Sequence, residues 1–174
     1  EGTAEYIDGA KAGGILNSVT KQIYEGNTGV NVVPCTFRRE YIEWAPREAS
    51  QGAPIARHSS TSDILTKTSR SQDNKDVLSN GNYIENTAQW YVILLNDTLS
   101  EGTPAMVSMK STQLKRARNW MSMIRESRAP VMFSHMYKLT STLEQNNKGN
   151  WYSWVINRGA ALDINYETMT GAQK

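Results

Sequence analysis

The sequence is poor in the residues that build disulfides and metal sites. Its 174 residues include one cysteine, Cys35, and two histidines, His58 and His135. A single cysteine excludes an internal disulfide and a four-cysteine zinc site, so we expect no metal and no other cofactor. No hydrophobic run is long enough to cross a membrane, and we expect no membrane partner. The first residue is Glu and no charged-then-apolar leader follows it, so we expect a processed or trimmed piece.

Charge of either sign is also limited. The chain carries 19 Lys and Arg against 17 Asp and Glu, a formal net charge of +2, which alone does not indicate nucleic acid. Only two Phe accompany five Trp and eight Tyr. Because Trp and Tyr are favoured where one side of a ring is apolar and the other wet, this composition favours a binding surface.

Catalytic motifs are missing as well. The sequence contains no G-x-S-x-G, no G-x-x-x-x-G-K-[ST] and no H-E-x-x-H. Cys35 lies in an apolar strand pattern without a cation to activate it, and His58 lies in a polar stretch where we expect it to be solvated. Glu40 and Glu43 are three positions apart, so a strand would place them on opposite faces. We therefore expect a protein that is not an enzyme.

The length suits one domain with its own core. Residues 1–14 are rich in Gly and Ala and are predicted to be a flexible arm. Residues 15–157 are predicted to form the single domain, and residues 158–174 a tail. Within the domain, residues 45–82 are polar and are predicted to be a mobile connection, because so long a connection is usually functional or mobile.

The hydrophobic pattern predicts a mainly β fold with one helix. Strand patterns cover residues 15–24, 30–44, 83–95, 104–109, 131–143 and 151–156. Between the strand patterns at 104–109 and 131–143, an apolar stripe is formed by Leu114, Ala117, Met121 and Ile124. This stripe predicts a helix over 111–127, capped by Ser111 or Thr112. A helix between the third and fourth strands of a five-stranded barrel is the OB-like arrangement. A β-sandwich with one helix is the alternative.

Aromatic and basic residues alternate along these strands and on the helix. Single-stranded nucleic acid is bound by aromatic rings that stack on bases and by cations that hold phosphates. The candidate stacking residues are Phe37, Tyr41, Trp44, Trp151, Tyr152 and Trp154, and the candidate phosphate contacts are Arg38, Arg39, Lys115, Arg116, Arg118 and Lys148. The competing interpretation is that the rings belong to the core or to cross-strand pairs, and that the helix face is only solvated.

Several stretches also carry a resemblance to known proteins: VVPC at 32–35 with YIEWAPRE at 41–48, MKSTQLKRARNW at 109–120, and YKLTST at 137–142 with KGNWYSW at 148–154. Together they resemble small proteins of tailed bacteriophages, including marine ones, over residues 13–157, and the layout resembles phage single-stranded DNA-binding proteins of OB-fold type. The resemblance implies phage replication or recombination, with proteins of those processes as partners, in the cytoplasm of an infected bacterium. The chain departs from those proteins in lacking an acidic C-terminal tail, because Asp163 and Glu167 are the only acids after Glu144.

The leading hypothesis is a non-catalytic protein that binds single-stranded DNA in phage replication or recombination. The first alternative is a virion structural or assembly protein, in which the same aromatics form core and interface. A nuclease is the third hypothesis. Association into a homo-oligomer is compatible with the first two hypotheses.

Overall fold

A computed structural model of the chain describes residues 9–49, 52–128, 131–147 and 149–162. These ranges contain ten β-strands, one α-helix and several short 3-10 turns. The strands are β1 (Ile15–Leu16), β2 (Ile23–Tyr24), β3 (Val30–Trp44), β4 (Ala56–Ser59), β5 (Thr68–Arg70), β6 (Asp76–Leu78), β7 (Tyr83–Leu95), β8 (Gly102–Lys110), β9 (His135–Asn146) and β10 (Gly149–Ala161), and the helix is α1 (Leu114–Glu126). No helix in the described ranges is long and apolar enough to cross a membrane.

The two long strands β3 and β7 form the spine of an eight-stranded antiparallel sheet. On the far side of β3, β9 pairs with Val30–Val32 and β4 pairs with Glu40–Glu43. On the far side of β7, β6 pairs near its start and β8 pairs with residues 87–95. β10 pairs with β9, β5 pairs with β6, and β1 and β2 form a separate hairpin.

The order of the long strands is that of an OB-like barrel. They run β10-β9-β3-β7-β8 across the sheet, and α1 connects β8 to β9. This is the arrangement of a partly open five-stranded Greek-key barrel. The predicted mainly β fold with one helix is therefore confirmed, as a curled half-barrel. In the described residues no ladder joins β8 to β10, so the barrel is open on that side.

The core lies between the concave face of the sheet and α1. Trp90 of β7 and Trp120 of α1 are both 0% exposed, and their rings stack with centroids 4.3 Å apart. Tyr137 of β9 packs edge-on against Trp120 at 5.7 Å, and Met109 and Leu139 are fully buried beside them. Fully burying a large apolar side chain contributes about 1.5–3 kcal/mol. The helix thus covers apolar side chains that the concave face of the sheet alone would leave in contact with water.

The helix also covers the free edge of β10. Gln113, just before α1, donates from Nε2 to the Tyr152 carbonyl oxygen at 3.2 Å and accepts from the Trp154 backbone N–H at 3.1 Å. One side-chain amide therefore satisfies two backbone groups of an edge strand, as a neighbouring strand would. At the other end, Arg158 donates to the Met123 carbonyl oxygen. These contacts fasten α1 along β10 where the barrel is open.

The start of the helix differs from the prediction in one respect. Residues 111–113 form a 3-10 turn before α1, and neither Ser111 nor Thr112 supplies the expected cap, because the N-cap position falls on Gln113, whose side chain is engaged with β10. The helix then ends at Glu126, one residue before the predicted end.

Residues 45–82 contain more regular structure than a polar connection would. The segment supplies β4, β5 and β6, each paired into the main sheet, and a 3-10 turn at Ile64–Lys67. These strands are only three or four residues long, which is too short to show a period in the sequence. Mobility of this segment stays a prediction. β10 continues to Ala161, four residues beyond the predicted end of the domain at 157, so the predicted tail begins within a strand.

Candidate nucleic-acid interface

A β-bulge in β3 decides which residues of the Phe37–Trp44 cluster face inward. Before it, Val32 pairs with Leu94 and is fully buried in the core. The register shifts between Pro34 and Thr36, so one extra residue is inserted there. A bulge of one residue reverses the alternation of a strand. The two faces of β3 therefore exchange at Cys35.

After the bulge, odd-numbered residues of β3 face the concave side. Phe37 lies opposite Trp90, and their ring centroids are 4.6 Å apart. Arg39 donates from Nε to Asn86 Oδ1 at 3.0 Å, and Tyr41, half-buried, lies opposite Asn86 on β7. Phe37 is therefore placed in the core, and Arg39 and Tyr41 line the same inner face.

The even-numbered residues Arg38 and Trp44 face the opposite, outer side. Trp44 lies opposite Tyr83, and Lys110 Nζ of β8 lies 5.9 Å from the Trp44 ring centroid. Lys75 Nζ lies 4.6 Å from the centroid of Tyr83. A cation within about 6 Å of a ring centroid is attracted by the ring face. Six side chains on this side are aromatic or basic, and we call them the outer row: Arg38, Trp44, Lys75, Tyr83, Tyr91 and Lys110. The buried residues Ile42, Thr87 and Gln89 lie between them on the same face.

Acidic side chains neutralise only part of the outer row. Lys110 Nζ pairs with Glu85 Oε2 at 2.9 Å. Glu40 instead pairs with Arg57 at 3.0 Å, and the buried Gln89 amide, oriented to satisfy both, donates to Glu40 at 3.1 Å and accepts from Arg57 at 2.8 Å. Arg38 is exposed and forms no ion pair within the described ranges. Its charge is therefore available to a phosphate.

The sequence did not single out Tyr83 and Tyr91 as site residues. A local signal was present, because Trp90 and Tyr91 are adjacent on one strand and only one of them can face the core. Trp90 is fully buried, while Tyr91 is half-buried on the outer side. The pairing of Tyr83 with Trp44 depends on the β3–β7 register, which no local pattern reveals.

The predicted helix residues divide into two groups. Arg116 forms an ion pair with Glu144 of β9. Glu144 Oε2 also accepts from Ser153 Oγ at 2.7 Å and from Trp151 Nε1 at 3.0 Å. The Ser153 hydroxyl, and then Arg116, hold the pKa of the Glu144 carboxyl below its ordinary value. Arg116 thus joins α1 to β9, while Trp151 joins β10 to β9 within the hairpin.

By contrast, Lys115 and Arg118 are exposed on α1 and form no ion pair within the described ranges. Lys148 lies outside the described residues.

The remaining predicted aromatics lie near the N-terminal arm and the core. Tyr152 is 43% exposed, but its ring lies against Gly13, where an added Cβ would come within 2.4 Å of Cε1. Trp154 is half-buried and packs against the hydrophobic core. The structure therefore places Arg38 and Trp44, six positions apart on β3, on the same outer face as Tyr83, Tyr91 and Lys110. It does not bring the β10 aromatics to the same surface.

His58 is not solvated as expected. It lies on β4 with Nε2 3.0 Å from Oε2 of the buried Glu43, because β4 pairs with β3 beside Glu43. Asn82 donates to Glu43 Oε1 at 2.6 Å, and this hydrogen bond is the main reason why the pKa of the Glu43 carboxyl lies below its ordinary value. The described part of the chain contains no cluster of three or more His, Cys, Asp or Glu suited to a metal ion.

The fold and the outer row define a small half-barrel protein of OB-like strand order. The chain belongs to a family described as Pam3 phage gp34-like protein, whose sequence model matches residues 1–170. The phage family expected from the sequence is thereby confirmed. No curated protein and no solved structure matches the chain.

Proposed function

We propose that this phage protein binds single-stranded DNA, without catalysing a reaction, on the outer row of β3, β7 and β8. The observation that carries the proposal is the placement of Lys110 over Trp44 and of Lys75 over Tyr83 on one sheet face. In OB-like barrels the second and third strands provide the face that binds oligonucleotides. β7 and β8 occupy those two positions here.

The side chains of the outer row suit the two parts of a nucleotide. Lys75 and Lys110 each lie over a ring in the free protein, and a phosphate would draw these flexible ammonium groups aside. The face of each half-buried ring then becomes available to a base. Stacking on an aromatic ring contributes about 1–3 kcal/mol per base. Two platforms, Trp44 and Tyr83, are therefore enough for measurable binding despite the small net charge of +2.

Phosphate contacts give the proposal a quantitative signature. Arg38, Lys75 and Lys110 would each displace a counterion from the single-stranded DNA. The slope of log K against log salt is about −0.7 per contact for single strands, so three contacts predict a slope of about −2. Lys115 and Arg118 are exposed on α1 and would steepen the slope if the bound DNA extends onto the helix.

The test is a titration of the full chain with oligo-dT of about 16 nucleotides, followed by Trp fluorescence between about 50 and about 200 mM salt. Arg38→Gln should lower the affinity and flatten the slope by about 0.7. The matched control is Lys21→Asn, which removes one exposed charge from the β1–β2 hairpin and should leave both unchanged. Absence of quenching and of any salt-dependent affinity would refute DNA binding.

A virion structural or assembly role is the second candidate. It is favoured by the outer edge of β8, with which no strand of the described ranges pairs, because open sheet edges recruit strands of other chains. A stable higher assembly by size-exclusion mass measurement, without affinity for oligo-dT, would support this role in place of the first.

A further inference from the structure

An apolar groove runs beside the unpaired edge of β8. It encloses about 530 Å³ between β8 and the β1–β2 hairpin. Its floor is formed by core residues such as Val32, Val92 and Leu139, and its walls by Ala105 and Val107 of β8 and by hairpin residues 15–20. The groove lies on the open side of the half-barrel and is separate from the outer row.

The wall formed by β8 offers backbone hydrogen bonds. β8 pairs with β7 along its whole length, and within the described residues no strand pairs with its other edge. An edge strand presents unpaired N–H and C=O groups that can pair with an added strand. Residues 103–108 line the groove, which at about 3.4 Å per residue gives a track about 20 Å long. Within this track Pro104 offers a carbonyl oxygen but no N–H donor, so the donors come from the other five residues.

Charge determines which kind of segment fits. None of the described residues that line the groove is charged. A charged side chain placed there would lose its hydration without gaining a partner, which is costly. The exposed apolar side chains around the groove include Leu16 at 37%, Val19 at 86% and Met106 at 49%. The matching occupant therefore has apolar, uncharged side chains on the face that enters the groove.

The shape of the groove separates a single strand from a folded sheet. The hairpin lies opposite β8 across the groove, so the space is bounded on two sides. A second copy that paired through its own β8 would bring β7 and the rest of its sheet, whereas a single extended segment needs only the space between β8 and the hairpin. From these observations we propose that the β8 groove binds one extended, uncharged apolar segment of a partner protein by β-strand addition.

The direct test adds a peptide to the isotope-labelled full chain and follows amide signals by NMR. The probe is an acetylated and amidated peptide of about seven residues with alternating Thr and Val. We expect saturable shifts confined to β8, to residues 15–24 and to floor residues such as Val32, Val92 and Leu139, with slower hydrogen exchange of the β8 amides. A peptide whose central Val is replaced by Asp should bind at least about tenfold more weakly, because its charge enters the groove. No saturable shift, shifts elsewhere, or equal binding of the charged peptide would each overturn the proposal.

Two variants make the test specific. Val19→Lys places a charge at the groove on a side chain that is 86% exposed, and its backbone N–H still donates to Asn17 Oδ1 at 3.0 Å, so folding should be retained. Ile55→Lys makes the same change at a 58% exposed residue outside the groove. We expect the first variant to weaken peptide binding at least about tenfold and the second to leave it unchanged. If both variants bind the peptide like the unmodified chain, the groove is not its site.

The experiment also distinguishes this site from the proposed DNA interface. Val19→Lys should bind oligo-dT as the unmodified chain does, because Val19 is not part of the outer row. If β8 signals shift with protein concentration in the absence of peptide, the occupant is a second copy, and the single-segment proposal is wrong.

Discussion

Replacing Trp120 by Ala should reveal how much of the stability depends on docking α1 against the sheet. The Trp120 ring is fully buried, stacks on Trp90 at a centroid distance of 4.3 Å with an interplanar angle of 23°, and meets Tyr137 edge-on at 5.7 Å. No other helix residue makes two ring contacts in the described structure. The substitution therefore removes the main aromatic link between helix and sheet.

The expected loss follows from these contacts. Substituting a buried Trp by Ala costs about 3–5 kcal/mol, which includes the cavity left behind. Because two aromatic pairs are lost together, we expect the upper part of this range. A domain is stabilised by only about 5–15 kcal/mol in total, so Trp120→Ala should approach the limit of folding.

Trp120→Phe should cost much less, for a reason specific to this site. The Trp120 Nε1–H is buried and has no hydrogen-bond partner among the described residues. An unsatisfied buried donor costs about 1–3 kcal/mol, so its removal offsets part of the lost packing area. We expect a net loss below about 2 kcal/mol for Phe. The stacking on Trp90 would be retained in a similar plane.

The assay is urea unfolding followed by circular dichroism, with Asn119→Ala as control because Asn119 is the exposed neighbour on α1. The control should change stability by less than about 0.5 kcal/mol. A loss below about 2 kcal/mol for Trp120→Ala would refute the view that this ring anchors the helix. Equal losses for the Ala and Phe variants would refute the argument from the unsatisfied indole.

Two further predictions concern local contacts. Asn82→Ala removes the hydrogen bond that most lowers the pKa of Glu43, so it should cost about 1.5–3 kcal/mol at neutral pH. The pKa of Glu43 is lower in the folded state than its unfolded value of 4.5, so the ionised carboxyl stabilises the fold above that value. This stabilisation is lost as the pH falls through the folded-state pKa, so the cost of Asn82→Ala should shrink in acid. Urea unfolding at several pH values will show the change. Gly13→Ala should release the N-terminal arm from Tyr152, since Gly13 has φ +82 and its added Cβ would come within 2.4 Å of that ring. Trypsin should then cut the arm faster, whereas Gly52→Ala, at φ +80 in open space, should not change the cleavage rate there.

The elements that local sequence determines were predicted well. β3 and β7 span the predicted 30–44 and 83–95, and α1 with its leading turn follows the stripe through Leu114 and Ile124. In each of these, hydrophobic spacing and turn residues agree over ten or more positions, which is long enough for the period to be unambiguous. The short strands β4 and β6 were missed because three or four residues are too few to define a period.

The candidate site was less predictable because its contacts are long-range. Glu144 meets Arg116 across 28 positions, and Arg39 meets Asn86 across 47. A sequence pattern shows that a ring or a cation lies on a strand, but only strand pairing shows which other strand it meets. For this reason Trp44 was identified without Tyr83, and Arg116 was proposed for phosphate contact although it pairs with Glu144.

The bulge at Cys35 divides β3 into two halves, each of which turns a different set of side chains toward the core. Without the extra residue, β3 would keep even-numbered side chains on the concave face along its whole length, and Arg38 would point at the core in place of Phe37. With the bulge, the first half of the strand contributes Val30 and Val32 to the core, and the second half turns Arg38 and Trp44 outward beside β7 and β8. One inserted residue therefore allows a single strand to complete the core under α1 and to supply the basic and aromatic groups of the outer row.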